Sequence, residues 1–189
     1  MSTFLTKSRH AAGFTLIELV VVIIILGILA AIALPRFMNL QGDARIAKLN
    51  AARGSTVAGA ALVHAKVLTR AGVADAAACP GTVITADNTT TVCSEGGIIG
   101  ITNSYPSVVL TAGLGAGNPG IVGAAGLASV FNPTAAQLAA EGYTVTGVGT
   151  VQTFQIVGAT TPANCSFTYT GPAAAGASPV ISAAITTGC

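Results

Sequence analysis

Charge is what this sequence has least of. Only 7% of its 189 residues are Asp, Glu, Lys or Arg, against about a quarter in an ordinary soluble protein. Tryptophan is absent, and His10 and His64 are the two histidines. No Lys or Arg lies beyond Arg70, and no second long apolar run follows the one near the start. Each shortage excludes something. The segment 71–189 carries Asp75, Asp87, Glu95 and Glu141 but no base. With no cation to meet a phosphate, it is not expected to bind nucleic acid. So few titratable groups assemble no Ser-His-acid set, so no enzyme is expected. There is no C-x-x-C spacing, and Asp75 and Asp87 belong to no spaced acidic ligand set for calcium. The run "GLGAGNPG" (113–120) lacks the Lys-Ser/Thr of a phosphate loop. Neither a metal nor a cofactor is expected.

What is present is concentrated. Phe14 to Leu34 is an apolar run of 21 residues whose single charge is Glu18. As a helix it spans roughly 31 Å, the thickness of a bilayer core. A secretory signal has a shorter apolar region with its small cleavage residues after it. Here the small residues "AAG" precede the run. The bases also cluster. Arg36, Arg45, Lys48, Arg53, Lys66 and Arg70 make segment 36–70 basic and leave 71–189 acidic, a layout that is either chance in a charge-poor chain or a means for these two segments of neighbouring copies to attract. Lys7 and Arg9 are outnumbered by the bases that follow the run, so the positive-inside rule alone would orient it the other way. The cysteines oppose that orientation. Cys79, Cys93, Cys165 and Cys189 all lie past the run, as in an oxidised, exported domain with two disulfides, for which three pairings are open.

A short basic leader, then Gly13, then "FTLIEL", then an aliphatic run ending at Pro35, resembles the class III signal of type IV pilins and pseudopilins. The resemblance implies a leader 1–13 removed by prepilin peptidase between Gly13 and Phe14, with N-methylation of Phe14. It places Glu18 on the glutamate used in assembly, and Pro35 on the proline that kinks the stem. Gly27 and Pro35 are weak points where related helices lose helicity on assembly. The new amine of Phe14 gives the Glu18 carboxylate of a neighbour a cation to pair with in an apolar filament centre. The alternative reading is that Glu18 snorkels to the interface, being only one turn inside the helix.

The chain divides into the leader, a membrane and assembly half at 14–34, an amphipathic stem helix at 35–71 and a head at 72–189. Along the stem, positions 37, 40, 44, 47, 51, 54, 58, 61, 65 and 68 form a 3-4 stripe of mostly small residues, suited to close approach by a sheet or another helix. The helix should stop near Gly72. In the head, "NPTAAQLAAEG" (132–142) predicts a short helix with Asn132 as N-cap and Gly142 as its stop. Strands are predicted at 153–157, 165–170 and 179–186. Asn88-Thr89-Thr90 fits a glycosylation sequon, a weak match beside a bacterial-type leader. The fold class is α+β, a long N-terminal helix packed on a small antiparallel head.

The C-terminal "CSFTYT…ISAAITTGC" is similar to the end of pilins, closest to the mannose-sensitive haemagglutinin type, which shares a "YP" like Tyr105–Pro106. That similarity implies a Cys165–Cys189 disulfide and leaves Cys79 with Cys93. The implied function is a structural pilus subunit, held in the inner membrane, then polymerised with copies of itself by an assembly platform into an extracellular fimbrium for adhesion, attachment or twitching. A type II secretion pseudopilin is the alternative, disfavoured because the major pseudopilins usually lack the closing disulfide. A membrane-anchored binding or enzymatic domain is a remote third.

Overall fold

The computed structural model describes residues 14–189, so Gly13 and the rest of the leader lie outside the described residues. It forms two compact units, Met1–Gln41 and Gly42–Cys189. The helix α1, Leu16–Arg70, contributes to both. Long aliphatic and alanine side chains favour helix throughout it, and Gly27 and Pro35 both remain helical. It stops where the backbone turns left-handed, at Ala71 (φ 49°) and Gly72 (φ 75°). The Ala71 N–H donates to the carbonyl of Val67 at 3.1 Å, closing the last turn.

In the second unit α1 packs against two antiparallel sheets. The first has the order β1-β2-β3, built from Thr91–Ser94, Gly97–Thr102 and Tyr105–Pro106. The second has the order β4-β5-β6-β7, built from Tyr143–Val148, Val151–Ile156, Ser166–Thr170 and Val180–Ile181. The helices α2 (Gly120–Ala125) and α3 (Ala135–Ala140) lie between them in sequence. This is the α+β architecture expected from the sequence.

One face of α1 serves both sheets. Leu49, Ala52 and Ala60 join the larger core with Phe154, Phe167 and Tyr169, whereas Val63 and Val67 join Val92, Ile99 and Ile101. Phe154 and Phe167 face each other across β5 and β6 with ring centroids 4.8 Å apart. The Tyr169 hydroxyl donates to the Pro106 carbonyl at 2.7 Å, tying β6 to β3. Burial above all, and then the charge of the neighbouring Tyr105, push its ionisation above the ordinary tyrosine range. The disulfides are Cys79–Cys93 and Cys165–Cys189.

Several sequence expectations need correction. The buried face of α1 is Leu49, Ala52, Thr56, Gly59, Ala60, Val63 and Val67, not the small stripe. Ala44, Ala47, Ala51, Gly54, Ala58, Ala61 and Ala65 are exposed. Alanine sits on both faces of this helix, so its spacing could not tell them apart. The N-cap of α3 is Thr134, not Asn132. Its hydroxyl accepts from the Gln137 N–H while the Gln137 side chain accepts from the Thr134 N–H. The predicted strand 179–186 shrinks to Val180–Ile181 plus a bridge from Ile185 to Ser166, because Ser182 turns its side chain back to the Thr168 N–H. The strand β4 and the whole first sheet were not predicted.

Candidate assembly segment

The candidate assembly segment begins with a capping arrangement. Thr15 precedes α1, and its hydroxyl accepts from the Glu18 N–H at 3.3 Å. The same hydroxyl lies 3.5 Å from Glu18 Oε2, to which it donates. "TLIE" is therefore a Thr-x-x-Glu start signal as well as part of the leader motif. Glu18 falls in the first turn, where the positive end of the helix dipole favours an anion. The opening carboxylate thus has a local role that neither sequence reading had given it.

Around Glu18 the side chains are apolar on every side. All residues from Phe14 to Phe37 are exposed, with Phe14 at 83%. A helix that is apolar all round requires a lipid or protein environment. It is also the helix long and apolar enough to cross a membrane by length and composition.

Several of the stem cations have partners within their own chain. Arg45 donates to the Cys189 carbonyl at 2.8 Å and Arg53 to the Ser182 carbonyl at 2.6 Å. Lys48 donates to the Glu141 carbonyl and lies 4.6 Å from the centre of the Tyr143 ring. Arg70 pairs with Asp75 at 3.1 Å, the ion pair found among the described residues. Four of the six stem bases are thus held within their own chain, three of them by main-chain oxygens rather than acidic side chains.

The other polar candidates prove structural. The Nδ1 of His64 donates to the Ser104 carbonyl at 2.9 Å, and its ring stacks on Tyr105 at 3.9 Å. Asp75 lies beside Cys79 and Cys93, but both sulfurs are committed to the disulfide. Asn88 is buried and its amide donates to the Val73 carbonyl, so the sequon offers no accessible nitrogen. Asp87 organises the turn before β1. It accepts hydroxyls from Thr90 and Thr91 and the N–H groups of Thr89, Thr90 and Thr91. The Thr90 hydroxyl above all holds its carboxyl well below the usual range; burial opposes it, and the N–H groups of Thr89, Thr90 and Thr91 add to the lowering.

A pH dependence follows from that turn. A depressed carboxylate stabilises the fold above its unfolded pKa of about 4 and loses that contribution as pH falls below it. Wild-type protein should therefore melt above Asp87→Asn at pH 7, and the gap should narrow at pH 3. An equal gap at both values would mean that the charge is not what the turn uses.

Residues 8–34 match the prokaryotic N-terminal methylation motif. Over 42 residues the chain is 57% identical to the type IV narrow pilus major component of Thermus thermophilus, covering 22% of this chain and 36% of that one. Over 40 residues it is 48% identical to the type II secretion system core protein G of Pseudomonas aeruginosa, covering 21% and 28%. The chain therefore spans about a third of the length of the curated relatives it matches. No solved structure matches it.

Proposed function

We propose that this chain is a structural subunit of a bacterial type IV pilus. Prepilin peptidase removes residues 1–13, Phe14 becomes the N-methylated first residue, and the 14–34 half anchors the subunit in the inner membrane. An assembly platform then polymerises copies into an extracellular fimbrium. The observation that carries this reading is a methylation motif running directly into an exposed, all-round apolar helix.

Mass spectrometry of sheared surface material should find an N-methylated Phe14 and no leader. An intact Met1 on that material would defeat the proposal. A pseudopilin is the second reading, favoured by the similarity to core protein G. The Cys165–Cys189 closure weighs against it. Deleting the gene separates the two: a pilin's loss removes surface filaments, whereas a pseudopilin's loss stops secretion of folded enzymes.

A further inference from the structure

The head carries an apolar projection and, on other residues, a cleft. The projection is the tip of the loop closed by Cys79–Cys93. Val83 is 95% exposed and Ile84 is 57% exposed. The tip is nonetheless held rigidly. The Cys79 N–H donates to the Ile84 carbonyl at 2.9 Å, and the Thr82 hydroxyl lies within hydrogen-bond reach of the Cys79 and Ile84 carbonyls and the Ile84 N–H. An exposed apolar pair on a pre-organised turn has already met the ordering cost of docking.

The cleft lies at the C-terminal turn of α1. It has a volume of about 500 Å³, with Val67, Leu68 and Ala71 on one side and Asn88, Thr89 and Ser104 on the other. Ala71, Asn88, Asn103 and Ser104 are the non-glycine residues with left-handed backbone among the described residues, and all four border it. Such residues persist only where their surroundings fix them, so the rim is set.

Charge gives the two surfaces a polarity. The ammonium of Lys66, next to the cleft in sequence, has no ion-pair partner among the described residues, whereas its carbonyl accepts from the Thr69 hydroxyl. Glu95 is exposed in the β1–β2 turn, whose Gly97 lies against the Pro80 carbonyl at the base of the projecting loop. An acid thus accompanies the projection, and an unpaired base accompanies the cleft.

We propose that Thr82–Ile84 of one copy docks into the cleft of the next, with Glu95 meeting Lys66 at the edge. The inference rests on the filament reading above. Because projection and cleft are different patches of one surface, a head-to-tail contact between them is heterologous, and with the helical rise of a filament it propagates as an open chain.

Full-length protein in cells lacking the native gene tests this. Val83→Asp should reduce sheared filament yield about tenfold or more, as loss of an interface anchor does, while both disulfides form normally. Lys66→Glu and Glu95→Lys should each reduce yield, and their combination should restore it. The double variant Val83→Cys, Leu68→Cys should give a ladder of covalent multimers in filaments on oxidation, and Val83→Cys alone should not. Wild-type protein that makes no filaments would defeat the filament reading itself. Wild-type filaments, with normal yield from Val83→Asp and no ladder, would overturn this contact alone.

Discussion

Glu18→Ala should yield a folded, membrane-inserted subunit that does not enter filaments. In a bilayer the side chain lies one turn from the helix start and reaches the interface, so removing it costs storage little. In a filament centre there is no interface to reach. The carboxylate then needs the amine of a neighbouring Phe14, and breaking a buried pair by removing one partner costs about 3–5 kcal/mol. Sheared filament yield should therefore fall by on the order of a hundredfold or more. The Thr15 contact sharpens the test. Glu18→Gln can still accept the Thr15 hydroxyl and leaves the N–H bond of the cap intact, yet cannot neutralise an amine. If pairing is the role, Gln fails as Ala does. Normal filaments from Glu18→Gln would assign Glu18 to capping instead.

Gly59→Val should disrupt the head rather than assembly. Gly59 is on the buried face of α1, and a Cβ there would collide with the carbonyl of Ala124 in α2. Backbone atoms cannot swing aside as a long side chain can, so α1 must lift from α2. Overpacking typically costs about 1–3 kcal/mol, and a clash with backbone belongs at the upper end or beyond. Chemical denaturation of the detergent-solubilised full chain should show that loss. Gly54→Ala is the control, since a Cβ at Gly54 meets nothing within 4 Å. Replacing that exposed helical glycine should stabilise by a few tenths to about 1 kcal/mol. Equal effects at the two glycines would refute the close-approach explanation.

The contrast between those glycines marks what the sequence could and could not convey. Long-range periodicity announced α1, and "CSFTYT" alternates clearly enough to reveal β6. The buried side of α1 was hidden because alanine and glycine occupy both sides, and only contact distinguishes Gly59 from Gly54. The first sheet was missed for a related reason. "TVCSEGGIIGIT" has a glycine-bearing turn and little alternation, since Gly97 to Ile101 are all buried. At the assembly segment, "TLIE" was legible as a capping signal but was read only as part of a leader. The Asp87 turn could have been found from "DNTTT", an acid followed by hydroxyls able to close a local ring of bonds.

The attachment of α1 to two sheets along a single face also decides how a subunit bears a pull. Tension carried along residues 42–70 loads the contacts at Leu49, Ala52, Ala60, Val63 and Val67 in shear, so they resist together rather than peeling in turn. Arg45 and Arg53 fasten the last residues of the chain to the same helix. Should the head yield, the cross-links Cys79–Cys93 and Cys165–Cys189 withhold two covalent loops from extension. The subunit is thereby stiff first, and its extension after yielding is shortened by the residues closed within each cysteine pair.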